Sequence, residues 1–330
     1  MRLLCCLIVC SLSLVCVPAY AVPINSPLTL SPWRMLPAIE SWINLQAAGE
    51  LPAAAQRPWV MPHRAAWPTQ DGAPTVDTPR LDTLWMTIDH KRQLEARWWV
   101  SRLKTPLKRL QALNPNLDFD ALTMGQRVKA WERDPEATSQ SVWRANRGRM
   151  IAGEPLPPAP NYRIMFPHRA FGTYYTVSAL QHMMLQDARD FPDAQPLVVG
   201  DLSYRTGRRM RPHMSHRSGR DVDISYPRTD VGHTLRKFSR PRRAQVDGPR
   251  LLNMLRVLIE QGHTEFVLMD RWVQRAAYNA AVKQGAPQAW LEAVFQYPKW
   301  SGRTLVRRAK GHDDHMHIRF FCQHTDARCK

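Results

Sequence analysis

Beyond its first sixteen residues the chain has only two cysteines, Cys322 and Cys329. A Cys-rich metal site is therefore disfavoured, since no second pair exists to complete one. No run downstream of the N-terminus approaches the ~20 apolar residues of a membrane-spanning helix. H-E-x-x-H is missing, and with it the helical glutamate that acts as general base in many zinc peptidases. There are no internal repeats. Acidic residues are also few: 28 Asp and Glu stand against 46 Lys and Arg, a formal net charge of +18. That balance favours anionic polymers as partners.

What is present begins with "MRLLCCLIVCSLSLVCVPAYAV". Arg2, an apolar run and then Ala19-Tyr20-Ala21 read as a signal peptide, residues 1–21, cut after Ala21. The expectation is a periplasmic protein without a transmembrane segment. Cys5, Cys6, Cys10 and Cys16 leave with the signal. The remaining pair, Cys322 and Cys329, reads as a disulfide in an oxidising compartment. Two free thiols are the alternative. An exported chain rarely meets nucleic acid, so cell-wall polymers and anionic lipid surfaces suit the charge better. The Arg clusters at 205–211, 236–243 and 303–308 are read either as a solvated face or as substrate contacts.

Chemistry concentrates in two stretches. "GHDDHMHIRF" (311–320) sets three histidines and two aspartates in six positions. On a strand, His315, His317 and Arg319 would share one face, with Met316, Ile318 and Phe320 on the other. "HMSHRSGRDVDI" (213–224) holds His216, Gly219 and Asp223 as H-x-x-G-x-x-x-D. Asp221 and Asp223 alternate there with Val222 and Ile224, so a strand entered from a glycine turn is predicted. One early His, one Asp and one later His make a three-ligand N/O set, the pattern of a catalytic zinc site with an open water position.

Around these motifs, "PLVVGDLSYRTGRRMRPHMSHRSGRDVDI" (196–224) and "GHDDHMHIRFFC" (311–322) resemble the penicillin-insensitive murein endopeptidases. These belong to a zinc peptidase group that includes lysostaphin-type enzymes, D-Ala-D-Ala peptidases and the hedgehog domain. The resemblance covers roughly 162–329. By motif position it implies His216, Asp223 and His317 as zinc ligands and His315 as the catalytic histidine. His213 and His312 match two further histidines lining that family's site. His312 is thus a second candidate for the chemistry, and His213 a candidate for a second metal or for substrate contact. Asp230 and His233 have the spacing of the family's downstream Asp-x-x-His but follow the first motif too closely to be assigned. The implied cofactor is Zn2+. The implied substrate is peptidoglycan, cut at D-alanyl–meso-diaminopimelate cross-links without the acylated serine that β-lactams trap.

Residues 22–78 are rich in Pro and Ala and read as an extended segment, with one helix at 38–51. In 79–133, "TLWMTID", "HKRQLEARWWV", "PLKRLQALNPNLD" and "LTMGQRVKAW" read as strand, helix, helix and strand. The unit resembles a divergent LysM domain, whose family binds N-acetylglucosamine-containing glycans. Residues 134–161, closing in "GEPLPPAP", read as a linker. The peptidase domain, 162–330, is expected to be α+β: an antiparallel sheet carrying the zinc site, with helices at 174–191, 248–262 and 271–286 and strands at 195–203 and 264–270.

In such a site zinc lowers the pKa of a bound water and polarises the scissile carbonyl. His315 can act as the base, because imidazole titrates near neutrality. His312 or His213 can steady the oxyanion or the water. Asp221, Asp313 and Asp314 are read either as groups that orient histidine tautomers or as exposed turn residues. Two other functions stay open at this level: a zinc D,D-carboxypeptidase on the same substrate, and a non-catalytic wall-binding protein with structural zinc.

Overall fold

The computed structural model describes residues 54, 57–62, 78–230, 235–299, 302–326 and 328–330. The signal segment, the helix expected at 38–51, most of 22–78, and His233 lie outside the described residues.

Strand β1 (Thr83–Thr87) pairs antiparallel with β2 (Arg127–Glu132), with α1 (Ala96–Leu103) and α2 (Leu107–Leu113) between them in sequence. The strand–helix–helix–strand order is the one expected for 79–133. Its core joins Leu84, Met86, Trp99, Leu103, Leu110 and Val128, and extends to Met150 and Phe171 outside the unit.

At 134–161 the structure departs from the expected linker. β3 (Gln140–Val142) and β4 (Arg149–Ile151) form an antiparallel hairpin, and β5 (Glu154–Pro155) follows. Leu156, Ala159 and Met150 are buried in the two cores. The prolines mark extended backbone that packs, since Pro fixes φ without precluding burial. Residues 57–62 pack as well. Trp59 meets Trp290 edge-on at 4.7 Å, and the Trp290 indole N–H donates to the Val60 carbonyl at 2.8 Å.

The remaining elements are β6 (Tyr162–Ile164), β7 (Phe171–Gly172), α3 (Tyr174–Asp190), β8 (Leu197–Val199), β9 (Asp221–Ser225), α4 (Gly248–Glu260), β10 (Thr264–Met269), α5 (Arg271–Lys283), α6 (Gln288–Val294), β11 (Val306–Arg308) and β12 (His315–Phe320). β5 pairs with β7. Six strands form one sheet in the order β11-β10-β12-β9-β8-β6. Its four central strands are mutually antiparallel, and each edge strand runs parallel to its neighbour. The fold is α+β.

Helix starts follow from capping. Thr173, Asp247 and Asp270 accept from the first-turn amides of α3, α4 and α5, satisfying donors that a helix leaves orphaned. The apolar stripes of α3 and α4 bury against one face of the sheet, with Val222, Ile224, Val267, Met269, Met316 and Ile318 in the same core. Period-2 alternation sends the other residues of these strands to the opposite face. In register, His317 lies opposite Asp223 and Leu268, and Arg319 opposite Asp221 and Phe266. The apolar half of each central strand thus anchors it, and the polar half presents chemistry. No helix among the described residues is long and apolar enough to cross a membrane.

Candidate metal and catalytic site

β9 and β12 are hydrogen-bonded neighbours, so Asp223 and His317 meet across the pair. His216 arrives from the loop before β9. Its φ is +61°, a left-handed conformation that costs energy for a side-chain-bearing residue. The surroundings over-determine it. Its amide donates to Asp221 Oδ2 at 2.9 Å, its carbonyl accepts from Ser203 Oγ at 2.8 Å, and its Nδ1–H donates to the Leu202 carbonyl at 2.9 Å. Gly219, three residues on, has φ +73°, and a Cβ there would fall 2.1 Å from Met150 Sδ. Glycine is needed at that turn for both conformation and space.

Three donor atoms then converge. His216 Nε2 is 3.1 Å from His317 Nδ1 and 3.2 Å from Asp223 Oδ1, and His317 Nδ1 is 2.9 Å from the same Asp223 oxygen. The three residues are 1–5% exposed. In a tetrahedral zinc site with bonds of ~2.0–2.1 Å, neighbouring donors stand ~3.3–3.4 Å apart. The triangle is slightly tighter than that. Each ring also has its far nitrogen engaged: His216 Nδ1 on Leu202, and His317 Nε2 on Asp221 Oδ1 at 3.0 Å. With a metal in place of a proton, these outer bonds would fix the tautomers in which His216 Nε2 and His317 Nδ1 turn their lone pairs to the triangle.

The electrostatics call for a cation at the same place. Burial opposes the charge on Asp223, but His216 and His317 beside it hold its carboxyl well below the usual range. Burial likewise opposes the charge on Asp221, yet Arg319 and His317 keep it ionised. Burial pushes His317 down, but the hydrogen bonds to Asp221 and Asp223 outweigh it and raise the imidazole to about 9. Two buried carboxylates thus favour positive charge between them. The residues present fit a divalent zinc ion.

His213, at the next position around the cluster, has Nε2 at 2.6 Å from Asp201 Oδ2 and Nδ1 at 3.7 Å from Asp223 Oδ2. Ligand atoms of His213, His216 and Asp223 all lie within 4.8 Å of one another. His315 sits beside the triangle with Nε2 3.9 Å from Asp223 Oδ1, while its Nδ1–H donates to Asp314 at 2.6 Å. The His312 ring is 5.0 Å from that of His315 and 6.0 Å from that of His317. Burial pushes the His312 imidazole below its ordinary value.

The three aspartates read as orienters or turn residues separate in the structure. Asp221 is fully buried and holds His317, the His216 amide and Arg319 at once. Asp314 is half-buried and holds His315. Asp313 points away to Arg240 at 3.4 Å. Asp230 is engaged by Arg228 through two hydrogen bonds of 2.6 and 2.7 Å, and is not brought to the triangle. Cys322 and Cys329 are disulfide-bonded with Cα atoms 5.7 Å apart. The bond closes the tail that follows β12.

Sequence reasoning missed Asp201 and Phe238. Asp201 is buried and receives His213. Its signal was an acidic residue placed one glycine after the buried strand β8. The Phe238 ring stacks on His315 with centroids 4.8 Å apart. No spacing rule could have found it, because it comes from a separate loop.

Known proteins resemble this chain over its C-terminal part. A family model for penicillin-insensitive murein endopeptidases matches residues 141–330. The penicillin-insensitive murein endopeptidase of Yersinia enterocolitica serotype O:8 / biotype 1B is 26% identical over 203 residues, covering 58% of this chain and 69% of its own. That of Yersinia pestis is 25% identical over the same length and shares. That of Escherichia coli O157:H7 (strain EC4115 / EHEC) is 24% identical over 206 residues, covering 58% of this chain and 70% of its own.

Proposed function

The chain belongs to the penicillin-insensitive murein endopeptidase family, and from that premise we propose that it is an exported, zinc-dependent endopeptidase acting on peptidoglycan at D-alanyl–meso-diaminopimelate cross-links. The observation that carries the metal reading is the triangle of His216 Nε2, Asp223 Oδ1 and His317 Nδ1, with sides of 2.9–3.2 Å and both far ring nitrogens already engaged. Those three residues would hold the zinc. Bound there, zinc would supply Lewis acidity toward a water and a carbonyl.

The chain's own groups do the rest. His315 donates from Nδ1 to Asp314, which leaves Nε2 able to accept a proton from the attacking water and return it to the leaving amine. Asp314 stabilises the imidazolium that forms. His312 gives its Nδ1–H to the Lys310 carbonyl, which leaves Nε2 able to accept from the water, and His213, held by Asp201, can steady negative charge on the substrate oxygen. The βααβ unit supports a LysM-like, glycan-contacting role, and the positive net charge suits the anionic wall. The expected location is the periplasm.

Digestion of purified sacculi tests this reading. Protein treated with zinc should release monomeric muropeptides from cross-linked dimers, and chelator should stop it. Product mass decides the bond: loss of a single terminal D-alanine would mean a carboxypeptidase, and no release at all would leave a wall-binding protein.

A further inference from the structure

Among the described residues, His315 has one hydrogen-bond partner on its ring, Asp314, whose side chain is itself about one-third exposed. One bond to a surface carboxylate does not fix the plane of an imidazole. A second element supplies the constraint. The Phe238 ring lies nearly parallel to that of His315, 10° between planes and 4.8 Å between centroids. Phe238 belongs to none of the strands that build the site. It is carried by the Arg-rich stretch before α4, and that stretch is tied down by the two residues that follow the ring. Ser239 Oγ accepts from Arg228 Nη1 at 3.0 Å, and Arg240 reaches Asp313 at 3.4 Å, in the turn that leads into β12.

The floor beneath Phe238 is shaped for it. Gly200 follows β8, and its amide donates to the Asp223 carbonyl at 2.8 Å. A Cβ on Gly200 would fall 2.5 Å from Phe238 Cζ and 2.7 Å from Cε2. Gly200 does not have positive φ, so the glycine is required there for space alone. The missing side chain at 200 and the ring at 238 form one fitted contact beside Asp223.

We propose that Phe238 is a positioning residue, clamped between Gly200 and the imidazole, that holds the His315 ring with Nε2 directed at the metal-binding triangle. The proposal rests on the reading of His315 as the proton-transfer group. It assigns Phe238 no contact with zinc. Substitution should therefore lower turnover without lowering metal content.

The test uses the full-length chain and a purified cross-linked muropeptide dimer. Phe238→Ala should retain one zinc per chain and a KM within about twofold, while kcat falls about 10–100-fold, the scale expected when a catalytic group is misplaced by about 1 Å. Gly200→Ala should reproduce the kcat loss by displacing the ring, and the double variant should be no worse than the poorer single one. In NMR of the zinc-loaded protein, the His315 ring protons should move downfield in Phe238→Ala as the stacked ring's shielding is lost. Unchanged kcat in Phe238→Ala overturns the proposal. So does loss of zinc, which would make Phe238 a support for the ligands. Activity retained by His315→Ala would overturn the underlying reading itself. An inactive His315→Ala beside a fully active Phe238→Ala would sink the Phe238 assignment alone.

Discussion

The site has a floor and a wall, and they are built differently. In the floor, His216, Asp223, His317 and Asp221 are each essentially buried and each held by several partners, and His216 keeps a strained backbone through three hydrogen bonds. In the wall, His315, His312 and His213 are more exposed. Among the described residues, His315 has one ring hydrogen bond and one stacked ring, and His312 has one ring hydrogen bond, to the Lys310 carbonyl at 3.0 Å. The difference is physical. A metal site must keep donor atoms in place against their mutual repulsion, so it needs redundant support. A group that exchanges protons with water and substrate must have an unoccupied nitrogen and access to solvent. On the function proposed above, partner count separates residues of the same type into different work.

The sharpest way to break this comparison is to substitute one residue of each kind on the same strand. His317→Ala and Asp223→Ala should lose zinc and bring activity to background. His315→Ala should keep a full metal equivalent and lose roughly 10²–10⁴-fold in kcat. Metal analysis beside single-turnover assays reads both, and a zinc-free but folded His315→Ala would reverse the roles.

A second test asks what the floor rests on. The Arg217 amide donates to Ala145, the Met150 amide donates to Thr206, and the Met150 side chain fills the space above Gly219. The loop bearing His213 and His216 therefore leans on residues 145–150. A chain starting at Tyr162 should lose zinc affinity and much of its thermal stability. One that bound zinc normally and cleaved soluble muropeptides at the full-length rate would show the floor to be self-sufficient.

Asp221→Asn probes the floor more gently. It preserves shape but weakens the hold on the His317 tautomer, and zinc affinity should fall about 10–100-fold by competition with a chromogenic chelator. Activity at saturating zinc should suffer less. If affinity is unchanged, Arg319 and packing alone orient His317.

The smallest effect is expected at the tail. Paired Cys322→Ser and Cys329→Ser changes open a short loop outside both floor and wall. Stability should drop by at most about 2–3 kcal/mol in urea unfolding, with zinc content intact. Loss of zinc would tie the tail to the floor.

The amino-acid sequence by itself determined the strand that carries H-x-H, the glycine-turn strand with Asp221 and Asp223, the long helices, and the α+β class. It did so because period 2 and period 3.6 are local properties of a chain. The triangle residues could be named because the two motifs that carry them are contiguous and resemble those of the murein endopeptidase family. Only the tertiary structure decided which nitrogen of each histidine is free, because that depends on Leu202 and Asp221, brought in from elsewhere in the chain. It alone separated Asp221 from Asp313, since both are aspartates within histidine-bearing motifs and only one is buried. It turned 134–161 from an expected spacer into support for the site, because proline-rich composition reports backbone stiffness and not what the backbone packs against. And it placed Phe238 over His315, a contact between a loop and the first residue of β12 that share no periodicity and meet only when the sheet has assembled.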